Sequence, residues 1–320
     1  MNLTRDVLSG WMELSGLPKF VTSIVPFLLG SILAWAEGYA FDGTIFAISL
    51  LAVFLLTSFC FVLNVCSVYT DLKLVGIDPG LVKGGGLHST AVSGRFNAFV
   101  KGRISVRQAV TGAYLCLFAA FPLGVLLQFY LNAGVLTLPL GLFGIFIAYS
   151  YSKGLRLSYH GFGEIALSIG VGWLTVFSGY YLQAHQVSWL PTIVALPWII
   201  DVFKLKLTRE MPDFDLDRSI NRRTLAVQLG KDVTASLYLP LTICSWLCFI
   251  PLLFLDIPSL SFVLLAIPIF FTSRSLISMY RGNWKTEEGL LAITKNAFTG
   301  MILIPVALIG IFILKVIIIL

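Results

Sequence analysis

The stretch TIFAISLLAVFLLTSFCFVLNVC, from Thr44 to Cys66, is 23 residues long and contains no charged side chain. A helix needs about 20 consecutive apolar residues to cross the hydrocarbon core of a bilayer. The rest of the chain has the same character, since 58% of its 320 residues are hydrophobic and only 12% are charged. A solvated globular domain with one buried core does not have this composition. The sequence therefore predicts an integral membrane protein.

Other apolar windows of similar length lie on both sides of this stretch. Helices satisfy their backbone hydrogen bonds internally, and the sequence shows no run of alternating ten-residue strands, so helices are expected rather than a barrel. The pattern predicts an all-α, multi-pass protein with about nine spans. A re-entrant hairpin around Leu255 and Pro258 is the alternative to two separate spans there. The windows cover residues 20–36, 44–66, 107–129, 134–150, 163–183, 189–206, 236–255, 258–275 and 297–319.

Lys and Arg are concentrated in alternate loops. Two precede the first span, six lie from Lys73 to Arg107, two follow the fourth span, seven run from Lys204 to Lys231, and four from Arg274 to Lys295. By the positive-inside rule, the N-terminus and these basic loops are expected on the cytoplasmic side, and the charge pattern favours two spans over the hairpin. The net charge of +6 indicates attraction to anionic lipid or an anionic substrate, and not to nucleic acid.

The densest group of acids lies in REMPDFDLDRSINRRTLAVQLG, from Arg209 to Gly230. If the sixth span continues as a helix past its end, Glu210, Asp213 and Asp217 share one face. Acids that repel one another in this way require a divalent cation or basic partners, whereas a solvated loop with salt bridges is the alternative interpretation. The basic residues available in the segment are Arg209, Arg218, Arg222 and Arg223.

A second acidic pair, Asp71 and Asp78, lies in SVYTDLKLVGIDPG at the end of the second span. The two residues are seven positions apart, which predicts one face of a continuing helix. Both acidic groups are expected on the same side of the membrane, and an Mg²⁺-bound diphosphate is the simplest ligand that uses acids and cations together. The cations along the chain between the two groups include Lys73, Lys83, Arg95, Lys101, Arg103, Lys153 and Arg156.

One further acid, Asp201, lies inside the sixth span. Charged side chains within a span are costly and are usually paired. Lys204 follows about one helical turn later, and we expect the two side chains to form an ion pair rather than to act in catalysis.

At the two acidic groups the chain resembles the UbiA superfamily of membrane prenyltransferases, and within it the branch that prenylates 1,4-dihydroxy-2-naphthoate. The second group is similar to the family's PDxxxD motif and its basic tail, here PDFDLD and NRRTLAVQLG. The segment YSKGLRLSYHGFGEIALSIGVG, from Tyr151 to Gly172, also resembles the quinone-forming branch. The likeness extends over nearly the whole length of the chain.

The first group departs from the family's NDxxDxxxD motif. Asp71 alone is in register, Ser67 stands where Asn is usual, and valines replace the outer aspartates. Asp78 resembles an additional Asp of the quinone branch after one inserted residue, and Asn64 is the candidate substitute for the displaced Asn. A weaker metal site, a changed donor or a different reaction is expected from these departures.

The resemblance implies one transmembrane prenyltransferase domain over residues 1–320, with the acidic motifs on cytoplasmic loops at about 70–106 and 207–234. It implies Mg²⁺-dependent ionisation of a polyprenyl diphosphate to an allylic carbocation and transfer of the prenyl group to an aromatic quinone precursor. The alternatives are a UbiA-type terpene cyclase that acts on the prenyl diphosphate alone, and a non-catalytic or transport protein of the same fold.

The resemblance also implies a role for individual residues. The catalytic and metal-binding residues are expected to be Asp71, Asp78, Asp213 and Asp217, with Glu210 as a further metal ligand. Diphosphate binding is expected from Lys73, Arg95, Lys101, Lys153, Arg156 and Arg223. Contacts to the acceptor, or support behind the ligands, are expected from Asn64, Ser67 and Glu164. The expected partners are a polyprenyl diphosphate, an aromatic acceptor and the lipid bilayer.

Overall fold

The computed structural model describes residues 3–16, 19–82 and 96–319, and no β-strand occurs in these ranges. Helix α5 continues into a π-helical turn at Leu126–Tyr130, and a second π-helical stretch, Ser168–Leu174, joins α7 to α8. The α-helices are α1 Leu3–Ser15, α2 Val21–Ala36, α3 Gly43–Leu74, α4 Asn97–Val100, α5 Val106–Val125, α6 Thr137–Ser152, α7 Gly163–Leu167, α8 Thr175–Ala184, α9 Leu190–Glu210, α10 Phe214–Ser219, α11 Leu225–Leu229, α12 Lys231–Ser236, α13 Tyr238–Leu247, α14 Ala266–Tyr280 and α15 Glu287–Ile319.

Six helical segments in the described ranges are long and apolar enough to cross a membrane. They are Gly43–Leu74, Val106–Tyr130, Gly163–Ala184, Lys231–Phe254, Ser259–Tyr280 and Glu287–Ile318. The separate segments before and after Leu255 favour two spans over a hairpin. The remaining predicted windows coincide with α2, α6 and α9, of which α2 and α6 have only 16 residues each. The all-α fold is therefore confirmed, and the number of nine crossings stays a prediction.

The starts of two long helices follow directly from local sequence. The Asp42 side chain accepts hydrogen bonds from the backbone N–H groups of Thr44 and Ile45 at 2.8 and 2.9 Å, which begins α3. At α5, Ser105 and Gln108 cap one another's backbone in a reciprocal pair. These side chains satisfy N–H groups that have no partner within the first turn of a helix.

Helices α2 and α8 approach so closely that glycine is required on both. A Cβ at Gly30 would lie 2.0 Å from the Val176 carbonyl oxygen, and one at Gly179 would lie 2.1 Å from the Phe27 carbonyl oxygen. The Ser31 hydroxyl donates to the Gly179 carbonyl at 3.1 Å across the same contact. Small residues allow two apolar helices to pack at short range inside a membrane, so this contact fixes the central part of the bundle.

One end of the bundle gathers the predicted site residues, and we call it the motif end. Helices α3, α6 and α9 finish there, and α7 begins there. Asn64 of α3 accepts a hydrogen bond of 3.0 Å from the Ser152 hydroxyl at the end of α6. The backbone N–H of Leu225 in α11 donates to Glu164 of α7 at 3.3 Å. Loops that are far apart in sequence therefore meet at this end.

The prediction that Glu210, Asp213 and Asp217 share one face of a continuing helix is wrong. Helix α9 ends at Glu210, and the chain turns before α10 begins at Phe214. Pro212 in this turn lacks the N–H that a continuing helix would use. The Arg222 backbone N–H then donates to the Asp217 carbonyl at 2.8 Å, so the acids meet because the loop folds back.

The prediction that Asp71 and Asp78 share a helical face is also wrong. Helix α3 ends at Leu74, and Gly76 has a φ of +77°, a left-handed conformation that glycine adopts without strain. Asp78 lies in the turn that follows, where its Oδ1 accepts from the Gly80 N–H at 2.9 Å. Asp71 is thus part of the bundle, whereas Asp78 is an exposed turn residue.

Candidate active site

The second acidic motif forms a buried cluster of ion pairs at the end of α9. Glu210 pairs with Lys206 one helical turn earlier. Arg222 lies 3.1 Å from Asp217 Oδ1 and 3.6 Å from Glu210 Oε1. Glu210, Asp217 and Arg222 are each no more than 3% exposed. Because buried charges need compensation, each of these side chains depends on the others.

Burial changes the acidity of this cluster. Burial raises the pKa of Asp217 to about 6, although the neighbouring Arg222 guanidinium opposes the rise. Burial likewise raises the pKa of Glu210, at the loop end of α9, to about 8, and Lys206 opposes it. Both shifts have the same cause, since a low-dielectric environment disfavours a carboxylate more than a neutral carboxyl. A bound cation would favour the charged forms.

Glu164, which was expected behind the metal ligands or at the acceptor, lies against this cluster. Its side chain is fully buried, and its Oε1 accepts from the Leu225 N–H. Among the described residues, no N–H donor reaches Glu164 Oε2, Glu210 Oε2 or Asp217 Oδ2, although the Glu164 and Glu210 carboxyls lie against one another. Buried polar atoms normally have partners, so these oxygens are available to a cation or to a donor on a ligand.

The first motif contributes one side chain to the site. Asp71 pairs with Arg156, and the Arg156 guanidinium carbon lies 3.8 Å from the centre of the Tyr159 ring. The Arg222 guanidinium carbon lies 5.5 Å from the same ring. Burial, followed by the neighbouring Asp71, raises the pKa of Tyr159 above its ordinary value. The two acidic motifs are thereby connected through Arg156, Tyr159 and Arg222, which we call the arginine–tyrosine bridge.

The other predicted residues differ in burial: some are enclosed in the bundle and others are exposed at its surface. Asn64 is held by Ser152, and Ser67 is buried with a hydroxyl that has no partner among the described residues. The predicted diphosphate-binding residues Lys73, Lys101 and Lys153 have exposed side chains. The Lys73 ammonium lies 5.1 Å from the Tyr69 ring centre.

One predicted cation, Arg223, lies away from the acidic cluster. Arg223 lines a polar surface cleft with Arg218, His160 and Gln228, while its neighbour Arg222 turns inward to the carboxylates. The resemblance implies diphosphate binding by Arg223, but the structure brings Arg222 to the acidic cluster instead. Arg95, together with Lys83 and His88 of the same loop, lies outside the described residues.

An apolar cavity extends into the bundle from the motif end. It contains about 1240 Å³ of space unoccupied by atoms, including its open side. Tyr151 lines it, and the Lys206 ammonium lies 6.0 Å from the Tyr151 ring centre, so the cavity begins directly beside the ion pairs. Along α3 its lining runs from Phe61 to Ser49, about 18 Å at the helical rise.

The far end of this cavity is closed, and one side is open. Phe27, Leu127 and Leu182 line the far end and belong to a buried apolar cluster. Two other lining residues, Phe121 of α5 and Leu142 of α6, are about half exposed. The cavity therefore opens sideways between α5 and α6, toward the surface that a bilayer would cover.

Asp201 forms the ion pair that the sequence predicts. Its Oδ1 lies 2.7 Å from the Lys204 ammonium, and both side chains are 1% exposed. Lys204 also donates to the Thr242 hydroxyl at 3.2 Å. This pair lies between α9 and α13 and is separate from the acidic cluster.

Most of the chain matches one known protein family. Residues 23–294, well over half of the chain, match the family described as the UbiA prenyltransferase family. The chain belongs to this family. The resemblance drawn from the two motifs and from Tyr151 to Gly172 is thereby confirmed.

Individual UbiA relatives are distant. The chain is 29% identical over 116 residues to 1,4-dihydroxy-2-naphthoate octaprenyltransferase of Bacillus subtilis, which covers 35% of this chain and 37% of that protein. It is 24% identical over 239 residues to the enzyme of the same name from Haemophilus influenzae, covering 71% of each. A UbiA homolog from Archaeoglobus fulgidus, bound to GPP and Mg²⁺, superposes with a TM-score of 0.62 at 14% identity, covering 94% of this chain and 99% of that one. That likeness shows the fold.

The side chains at the motif end suit Mg²⁺ chemically, although they do not form a complete cage. No group of three or more His, Cys, Asp or Glu side chains in the described ranges is close enough to hold a metal by itself. Mg²⁺ commonly uses one or two carboxylates and completes its octahedron with water and substrate phosphate. Glu210 Oε2 and Asp217 Oδ2, which no N–H donor reaches, meet that requirement.

Three features of the site were missed from the sequence alone. Lys206 was not assigned to the site, although its position four residues before Glu210 is a helical pairing distance. Arg222 was named only as one of four candidate partners. Tyr159 was not singled out, because nothing in its local sequence indicates that two arginines from different loops pack on its ring.

Proposed function

We propose that this chain is an intramembrane prenyltransferase that moves a polyprenyl group from its diphosphate to an aromatic quinone-precursor acceptor. The observation that carries the proposal is the direct contact between an apolar cavity and a buried cluster of acids and cations, through Tyr151 and Lys206. A prenyl diphosphate has the same division into a long apolar tail and a compact polyanion. The GPP and Mg²⁺ bound to the Archaeoglobus homolog, and the naphthoate acceptor in the relatives' names, support this assignment.

The tail is proposed to lie along α3 inside the cavity. Burial of each CH₂ contributes about 0.8 kcal/mol, so a tail with several isoprene units supplies substantial binding free energy. The cavity walls also keep water away from an allylic cation, which water would otherwise quench. The sideways opening between Phe121 and Leu142 allows a longer tail to continue into lipid.

The diphosphate is proposed to bind at the motif end. Glu210 and Asp217 would hold Mg²⁺ with Asp71 on the opposite loop. Asp213 is a further proposed ligand, and Asp78, on its exposed turn, is proposed to contribute only weakly, through water. When bound, Mg²⁺ neutralises charge on the leaving diphosphate and so favours cleavage of the allylic C–O bond. Arg156, Arg222 and Lys206 supply N–H donors that stabilise the same developing charge. The electron-rich acceptor then attacks the allylic carbon, and the attacked ring carbon loses the proton or carboxylate (as CO₂) that it carried. Glu164 is proposed to lie near this acceptor.

The sidedness proposed from the basic loops places this site on the cytoplasmic face. Both the donor and an aromatic acid acceptor would then approach from the same compartment. To test this sidedness, cysteine is introduced at Asp78 or at Trp189, which is 81% exposed. A membrane-impermeant thiol reagent is then added to intact cells. Labelling of the Asp78 position from outside intact cells would contradict the assignment.

Product analysis tests the proposed reaction. Purified protein in lipid nanodiscs is incubated with geranylgeranyl diphosphate and Mg²⁺, with and without 1,4-dihydroxy-2-naphthoate, and the products are identified by mass spectrometry. Transfer predicts a prenylated aromatic product only when both substrates are present. A hydrocarbon formed from the donor alone would instead identify a terpene cyclase, and no consumption of the donor would favour a non-catalytic protein.

A further inference from the structure

Tyr159 contacts cations from both halves of the candidate site although it belongs to neither acidic motif. Its side chain is 4% exposed, and the Arg156 and Arg222 guanidinium carbons lie 3.8 and 5.5 Å from its ring centre. Arg156 pairs with Asp71, and Arg222 pairs with Asp217. One aromatic ring is therefore the physical connection between two loops about 140 residues apart in the chain.

The backbone at Arg156 is unusual. Its φ and ψ are +48° and +47°, in the left-handed region that non-glycine residues seldom occupy. The conformation is held by a hydrogen bond of 3.0 Å from the Arg156 N–H to the Lys153 carbonyl and one of 2.7 Å from the Tyr159 N–H to the Arg156 carbonyl. Strained conformations of this kind persist where the surrounding structure enforces them, often at functional sites. In this conformation the Arg156 guanidinium lies over the Tyr159 ring.

Both arginines retain donors for an additional anion. The Nε atoms of Arg156 and Arg222 are buried and have no hydrogen-bond partner among the described residues. Buried donors normally have acceptors, and a guanidinium that stacks on an aromatic ring keeps its N–H edge free for a phosphate. The free N–H groups of the two guanidiniums can together donate to a ligand that carries several anionic oxygens.

The two arginines of the bridge are already paired with Asp71 and Asp217. An incoming metal therefore competes with arginine, and an incoming diphosphate competes with the carboxylates. A divalent cation must displace arginine from Asp71 and Asp217, and a diphosphate must displace those carboxylates from arginine. When both ligands bind, each takes the partner that the other has released. Such mutual release makes the two binding events favour each other, and the coupling is reciprocal.

We propose that Tyr159 is a positioning residue that couples metal binding to diphosphate binding, by holding Arg156 and Arg222 together as they transfer from the carboxylates to the diphosphate. The inference rests on the proposed function, because it takes a prenyl diphosphate as the anion. Tyr159 itself need not touch the reacting atoms.

The test measures binding rather than turnover. A non-ionising prenyl thiolodiphosphate is titrated into the full chain in nanodiscs, once with saturating Mg²⁺ and once with EDTA, by calorimetry. The ratio of the two Kd values is the coupling factor, and the wild type is expected to give at least about tenfold. Tyr159→Leu is expected to lower the ratio at least about threefold, because the direct contact of Mg²⁺ with the diphosphate remains, whereas Tyr159→Phe, which keeps the ring, retains most of it.

Matched variants separate positioning from a general structural effect. Tyr280→Leu replaces an 84% exposed tyrosine at the end of α14 and is expected to keep the wild-type ratio. Arg156→Lys keeps the charge without the planar fork and is expected to lower the ratio at least about threefold, which provides a second test if Tyr159→Leu does not fold. If Tyr159 only supported the fold, Tyr159→Leu would raise both Kd values by the same factor and leave their ratio unchanged.

The outcomes distinguish this inference from the proposed function. If wild-type affinity depends on Mg²⁺ and the ratio is unchanged in Tyr159→Leu and Arg156→Lys, the coupling role is overturned and the prenyltransferase assignment stands. If the wild type does not bind the thiolodiphosphate, or binds it equally with Mg²⁺ and EDTA, both are overturned.

Discussion

The two acidic loops hold their carboxylates in different ways. In the second loop, Glu210 and Asp217 are buried and paired with Lys206 and Arg222. In the first loop, Asp71 alone belongs to the bundle, and Asp78 caps an exposed turn. The motif that matches the family well is thus the one with the buried acids. In the motif that departs from it, the outer acids are replaced by Val68, which is buried, and Val75, which is half exposed.

This difference indicates how an altered first motif is compatible with an intact site. The second loop, through Arg222 and the Tyr159 ring, reaches Arg156 and its partner Asp71, the acid of the first motif that lies in the bundle. The acids of the two loops are therefore expected to contribute unequally to metal binding. Single substitutions at these acids and in the cavity measure that inequality.

The largest effect is expected at Asp217. Asp217→Asn keeps the shape of the side chain but removes a proposed metal ligand and the partner of buried Arg222. Turnover is expected to fall by about 100-fold or more, since several kcal/mol of charge stabilisation are lost. The measurement is kcat for prenyl transfer in nanodiscs.

The matched control for Asp217 lies two residues away on the same short helix. Asp215 has an 85% exposed side chain and lies 3.3 Å from Lys231. Because exposed ion pairs contribute little, Asp215→Asn is expected to stay within about twofold of wild type. Equal losses in Asp215→Asn and Asp217→Asn would contradict a specific role for the buried acid.

An intermediate effect is expected at Asp71. Asp71→Asn removes one negative ligand and leaves Arg156 without its partner, so the Mg²⁺ concentration for half-maximal activity is expected to rise about tenfold, equivalent to about 1.4 kcal/mol. A metal titration of the purified variant measures this directly. An unchanged half-maximal concentration would mean that the second loop holds the metal alone.

A substitution in the apolar cavity is expected to have an effect of similar size, which depends on the length of the prenyl tail. Ala52 lines the cavity on α3, and Ala52→Trp would exclude part of a long tail. Losing the burial of about two CH₂ groups, at about 0.8 kcal/mol each, raises KM for a C20 donor roughly tenfold. Leu51→Trp, at a neighbouring position that is 49% exposed, is the control, and an equal rise in both variants would place the tail elsewhere.

The smallest effect is expected at Asp78. An asparagine at this position can still accept the hydrogen bond from Gly80, and the carboxylate is not part of the arginine–tyrosine bridge. Asp78→Asn is therefore expected to shift the Mg²⁺ half-maximal concentration by no more than about twofold. A shift as large as that of Asp71→Asn would show that this turn moves inward when metal binds.

The sequence predicted the helices better than the loops. The apolar window at 44–66 lies inside α3, and Asp42 supplies the cap that begins this helix. Helix periodicity was then extended too far, past Leu74 and past Glu210. Gly76 and Pro212 were the local signals for both endings, since one adopts a left-handed turn easily and the other lacks a backbone donor.

The arrangement of the candidate site depended on contacts that sequence spacing does not contain. The acids Asp71, Glu210 and Asp217 were identified from their residue types and from the resemblance. Which cation reaches them was decided by tertiary packing, because Arg222 and Arg223 are adjacent in sequence but point to different surroundings. Local patterns also cannot place a ring such as Tyr159 between two loops.

The central claim is that the acids and cations of the two loops bind a metal diphosphate beside the apolar cavity. Release of inorganic diphosphate from a prenyl diphosphate by the purified chain, measured before and after EDTA and again after Mg²⁺ is added back, tests it most directly. We expect release to stop with EDTA and to return with Mg²⁺. Release that continues at the same rate in EDTA would contradict the account.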